Sequence, residues 1–165
     1  MTARFAMYNM YFKTNPSRSR MPARDIYHHQ VRTALIKDGW TITHDPLRLI
    51  WGRKDVFIDL GAERLLAAEK GSQRIAVEIK SFLGTSEIQD LEHTLGQFVL
   101  YRTILAQREP DRLLYLAVPS TILHTVFQQP IGQLLLHNDL VRILGFNPTT
   151  EEIVQWLPST PTAIS

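Results

Sequence analysis

The sequence predicts one α/β (α+β) domain in which a mixed β-sheet is flanked by helices. Three observations predict it: a capped helix followed by extended chain, a long amphipathic stretch near the middle, and a mostly apolar run, "DRLLYLAVP", directly after that stretch. Helix, strands, helix and strand in this order bury their apolar faces most simply as a sheet covered by helices. At 165 residues the chain fits a single domain with room for a sizeable core.

The elements follow in order. Residues 1–20, "MTARFAMYNMYFKTNPSRSR", carry neither strand alternation nor a capped helical face. They read as a disordered extension, or as sequence ahead of a true start at Met21. No apolar core of the length a secretory signal needs occurs there. The domain is expected over residues 21–158, with 159–165 as a C-terminal tail. In "PARDIYHHQVRTALIKDGW", Ile26, Val31, Ala34 and Leu35 can share a face and Gly39 supplies a stop, which predicts a helix over 24–38. "WTITHD" predicts a short strand. "KDVFIDLGAERLLAAEKGSQRIAVEIKSF" predicts extended chain broken at Gly61 and at the turn Lys70-Gly71-Ser72, a hairpin that leads into Glu78. Ser86 and Gln89 form a capping-box pattern, and Ile88, Leu91, Leu95, Phe98 and Leu105 continue an apolar stripe, so the longest helix should span about 86–107. "DRLLYLAVP" predicts a strand buried on both faces. Beyond Ser120, one or two short helices should precede strands in "LVRILGFNP" and "EEIVQWLP".

Composition narrows the function classes. The chain has no cysteine, which excludes a disulfide framework, a thiolate metal site and a cysteine nucleophile and suits a cytoplasmic protein. Its longest apolar runs fall far short of the ~20 residues of a spanning helix, so no membrane span is expected. Lys plus Arg number 18 against 16 Asp plus Glu, yet Arg4, Lys13, Arg18 and Arg20 lie in the first 20 residues, which contain no acid. Residues 21–165 therefore hold 14 basic and 16 acidic side chains, a formal net charge of −2. A uniformly basic DNA-coating domain is disfavoured, although a cleft can still concentrate cations.

The chemistry-bearing stretch is "IAVEIKSF". Strand alternation points Ile75, Val77 and Ile79 one way and Ala76, Glu78 and Lys80 the other. A carboxylate beside a lysine suits a Mg²⁺ or Mn²⁺ ion handling a phosphate: the ion takes oxygen ligands, and the lysine orients a water or offsets phosphate charge. Asp59 is the best second carboxylate, and the carbonyl of Ile79 a further oxygen ligand. Asp55 and Glu63 require a different register. A lone Glu-x-Lys arises in roughly every second chain of this size, usually as a solvated strand face. Gln97 and Tyr101, four residues apart on the next helix and so on one face, with Asp90 and Thr94 near that side, make the pattern more specific. Partial burial between helix and sheet is the simpler role for Tyr101. His28, with Asp25 one turn before it, can reach the cleft as an acid/base element, although helical histidines are more often packing residues. His44 and Asp45 precede Pro46 and suit a turn. The six histidines show no compact ligand spacing, and no zinc site is expected.

Asp59, Glu78-x-Lys80 and Gln97-xxx-Tyr101, in the order strand, strand, helix, resemble the PD-(D/E)xK nuclease superfamily, the last pair being similar to its RecB-like members. "YHHQVRTALIKDGWTITHDPL", "IDLGAERLLAAEKGSQRIAVEIKSF", "LGQFVLYR" and "DRLLYLAVP" together resemble the XisH family of cyanobacterial excision-controlling proteins over about residues 21–158. The first resemblance implies a restriction-endonuclease-like fold and a metal-dependent endonuclease-type site at Asp59, Glu78 and Lys80, with Gln97 and Tyr101 in support; the Ile79 carbonyl as a ligand and His28 as an acid/base group remain readings of the residues. Asp59 departs from the motif in following Ile58 rather than proline. The second implies a factor for site-specific excision of the fdxN element from DNA during heterocyst development, with a companion protein, XisI, and a recombinase as partners. A non-catalytic accessory protein that retains the nuclease fold is the alternative.

Overall fold

The computed structural model describes residues 23–67 and 71–159. The expectations for residues 1–20, for most of the 159–165 tail and for the start of the Lys70-Gly71-Ser72 turn lie outside the described residues. Helix α1, His28–Lys37, begins later than the 24–38 pattern predicts. Asp25 is the cause: its Oδ1 accepts the Tyr27 N–H at 3.0 Å, a side-chain turn that competes with helix at that point. Val31, Ala34 and Leu35 are buried as expected, but Ile26 is 62% exposed, and Gly39 in the left-handed region (φ +88°) ends the helix.

Strand β1, Thr41–His44, is followed by two strands that pair only with each other, β2, Leu47–Trp51, and β3, Lys54–Ile58. The sequence pattern identified β3 as extended chain but missed β2. The break after β3 falls at Asp59 rather than Gly61, because Gly61 sits within β4, Leu60–Ala67, opposite Ala76 of β5, Gly71–Ile79. A side chain at Gly61 would meet Arg112 and His44 at 3.2 Å, so close packing, not a turn, accounts for the glycine.

Helix α2, Glu87–Arg108, is the longest, and Ser86 Oγ accepts the Gln89 N–H at 3.3 Å as a cap. Strand β6, Arg112–Pro119, leads through a short turn of helix, α3 (Ser120–Ile122), and a wider-wound segment, Leu123–Phe127, into α4, Pro130–His137. Strands β7, Ile143–Asn147, and β8, Glu152–Leu157, complete the chain.

The main sheet has six strands in the order β1-β4-β5-β6-β7-β8. β5, β6 and β7 are parallel neighbours, and the outer pairings are antiparallel. The mixed sheet flanked by helices that the sequence predicts is therefore present. β6 lies fully inside it, which explains its near-continuous apolar run. Alternation along β5 divides the core: Ile75, Val77 and Ile79 join Val31 and Leu35 of α1 on one face, while Ala76 joins Leu91, Phe98 and Leu105 of α2 on the other. The α2 stripe is narrower than expected, with Ile88 48% exposed and Leu95 only half-buried.

Candidate functional site

The site forms where β4 falls short of the end of β5. Their pairing finishes at Leu60 opposite Val77, so the Ile79 and Ser81 N–H groups have no strand partner on that side. Two carboxylates take the place of the strand. Asp59 Oδ2 accepts the Ile79 N–H at 2.8 Å, and Asp25 Oδ2 accepts the Ser81 N–H at 3.0 Å, while the intervening Lys80 N–H bonds the Ala117 carbonyl of β6. Strand completion thus sets Asp59 beside Glu78.

Glu78 is 6% exposed, on the α2 side of the sheet as its parity requires. Lys80 Nζ lies 3.4 Å from Glu78 Oε1. Burial pushes the Glu78 carboxyl up to about 8; the neighbouring Asp59 pushes the same way, against the attraction of Lys80. Burial also raises Asp59, opposed first by the Ile79 amide and then by His28 and Lys80, with Asp25 acting upward. Burial thus favours the protonated form of both carboxyls.

Tyr101 faces this pair from α2. Burial and then the charges of Glu78 and Asp59 push its phenol up to about 12, which keeps it a hydrogen-bond donor at neutral pH. Gln97, one turn earlier, has a buried side-chain oxygen with no hydrogen-bond partner among the described residues. Thr94 is buried on the same helix, and Asp90 instead accepts the Gly84 N–H at 2.9 Å. The structure therefore gathers Asp59, Glu78, Lys80 and Tyr101 about one point, with Gln97 adjacent on the helix.

His28 pairs with Asp45. Its Nε2 lies 2.8 Å from Asp45 Oδ1 rather than pairing with Asp25, whose two oxygens are taken by backbone amides. Asp45 also binds Arg24 at 3.2 Å and Arg32 at 3.6 Å, so it anchors three basic side chains of the α1 region in addition to serving the turn before Pro46. A small cavity is bordered by His28, Asp45 and Asp59, so His28 lies near Asp59. Asp55 pairs with Arg48 at 3.0 Å on the β2–β3 hairpin. The sequence reading missed the role of Asp25 as the strand-end cap of Ser81. The 56-residue separation leaves no local signal for it.

The residues fit a hard cation. Asp59 and Glu78, both pushed up by burial, are oxygen donors of the kind a hard cation takes, with Lys80 3.4 Å from Glu78. Among the described residues no three His, Asp or Glu side chains converge as a metal-holding group, and Mg²⁺ commonly uses only one or two protein carboxylates.

A six-stranded mixed sheet covered by helices on both faces thus carries a carboxylate–lysine centre at the end of β5. The XisH protein family matches residues 21–154, and the chain belongs to that family. An XisH family protein from Nostoc punctiforme PCC 73102 has a similar structure, with 41% identity and a TM-score of 0.72 over 81% of this chain and 99% of that one. An fdxN element excision controlling factor protein from Anabaena variabilis is similar at 44% identity, again with a TM-score of 0.72 over 81% and 99% of the two chains. No curated protein matches the chain.

Proposed function

We propose that this protein is an excision controlling factor that acts on DNA during rearrangement of a genetic element, and that Asp59, Glu78 and Lys80 form a phosphodiester-cleaving site within it. The observation that carries the catalytic part is buried Glu78 with Lys80 at 3.4 Å and half-buried Asp59 beside it. A Mg²⁺ or Mn²⁺ ion held by Asp59, Glu78 and the Ile79 carbonyl would supply charge neutralisation and water activation at the phosphorus. Lys80 keeps a positive charge where negative charge develops on the phosphate, and Tyr101 offers a phenolic proton to a phosphate oxygen. Gln97 orients the strand beside them. Likeness to a protein named as an fdxN element excision controlling factor supports the DNA-rearrangement role, and XisI and a site-specific recombinase are the proposed partners.

A second reading, an accessory protein that binds partners without cleaving, is favoured by one feature. Glu78 is nearly closed to solvent and already paired with Lys80. Calorimetric Mn²⁺ titration beside nicking of supercoiled plasmid separates the two readings. For the enzyme, Asp59→Ala and Glu78→Ala lose metal binding and cleavage together, whereas Lys80→Ala binds the ion at least as well yet cleaves more slowly. Wild type that binds no divalent ion, with all variants supporting excision equally in cells, would establish the accessory protein.

A further inference from the structure

The β2–β3 hairpin is unusual in what it exposes. Its inward face begins in the core with Leu47, Leu49 and Ile58 and ends at its tip with Trp51, 48% exposed, directly across from Lys54. Ile50 beside it is 47% exposed. The tip closes through Gly52 and Arg53, with Gly52 at φ +60°, a conformation that glycine adopts readily and that suits a tight hairpin turn. The Arg108 guanidinium at the end of α2 stands 5.6 Å over the Trp51 ring, and Arg48 is 56% exposed on the outward face. Within residues 47–58 there are three basic side chains and one acid, Asp55, against a net charge of −2 for residues 21–165. The hairpin is thus a positive, aromatic-tipped projection on a body of the opposite sign.

We propose that this hairpin is a DNA-binding element in which Trp51 stacks on an unpaired base and Lys54 and Arg108 hold the flanking phosphates. Stacking on an aromatic ring with cations along the backbone is how single strands are held without sequence readout. The hairpin's second strand runs directly into Asp59. At ~3.3 Å per residue its tip lies roughly 16 Å from that carboxylate along the chain, about five nucleotides of stacked strand. Unpaired DNA engaged at Trp51 would place a phosphate about five nucleotides away at the Asp59–Glu78 site. This deepens the proposed DNA role and rests on it. The positive charge favours nucleic acid over a protein partner as the occupant of the exposed tryptophan.

The test is fluorescence anisotropy with a labelled 20-nucleotide single strand and the matching duplex, in EDTA, across a salt series. Wild type is expected to prefer the single strand, Trp51→Ala to bind it at least about fivefold more weakly, and Trp51→Phe to retain most of the affinity. Lys54→Ala should reduce the salt slope by about one while leaving the melting temperature unchanged. Equal affinity of Trp51→Ala and wild type would overturn the proposal, as would an unchanged salt slope for Lys54→Ala. Loss of a protein interaction in Trp51→Ala with DNA binding intact would also overturn it and make the tip a protein-docking site. Because the binding assay is run in EDTA it reports the hairpin alone, whereas Mn²⁺ titration and plasmid nicking report the metal site, so failure of the metal site and failure of the hairpin give different results.

Discussion

At the scale of single residues, Glu78 is under the greatest electrostatic stress. Its folded-state carboxyl sits at about 8, above the ordinary 4.5, through burial and the adjacent Asp59. Between those values the folded state binds more protons than the unfolded state, so stability falls as pH rises through this window. Glu78→Gln removes the penalty. It should therefore unfold at higher denaturant than wild type at pH 9, with the difference shrinking toward pH 4, as urea titrations at several pH values would show. A larger advantage at low pH would contradict the burial argument. Phe82 is a second stressed residue, a bulky side chain at φ +54° two positions beyond Lys80. It packs edge-on against Phe127 with ring centroids 6.3 Å apart, and that packing holds the left-handed backbone in place.

At the scale of elements, α2 links the core to the site. Phe98, 1% exposed, faces the sheet, while Tyr101 on the next turn reaches the carboxylates. Phe98→Ala should cost about 3–5 kcal/mol in urea unfolding. Leu95→Ala should cost clearly less, because Leu95 is only half-buried. Equal costs would mean that the stripe packs more broadly. Ser86→Ala should remove about 0.5–2 kcal/mol by leaving the Gln89 amide without its cap. The β2–β3 hairpin was the element least legible in the sequence. "LRLIW" has strand composition, but its partner is β3 alone, and a two-stranded unit off the main sheet leaves no repeating signal.

At the scale of the whole molecule, two apolar layers on opposite faces of one sheet hold Glu78 where water is scarce, with half-buried Asp59 at its side. A divalent ion bound only by the folded state stabilises it by mass action, about 2.7 kcal/mol at a hundredfold excess over Kd. Mn²⁺ should accordingly raise the melting temperature of wild type by several degrees, and that of Glu78→Ala by little. Equal shifts in both proteins would place the ion elsewhere. Among the described residues no helix is long and apolar enough to cross a membrane, in line with the short apolar runs of the sequence.

The sequence by itself determined the sheet-and-helix order, the long capped helix, the buried strand β6, and the parity that puts Glu78 and Lys80 on one face of their strand. Each of these follows from periodicity, caps and apolar runs, which act over a few residues. Only the tertiary structure decided that Asp59 replaces a missing strand at Ile79, that Asp25 caps Ser81 instead of pairing with His28, and that His28 turns to Asp45. Those choices depend on which backbone amides are left unpaired when β4 stops short of the end of β5. The count closes only after strands distant in sequence have met, because a buried amide must find an acceptor wherever the fold supplies one.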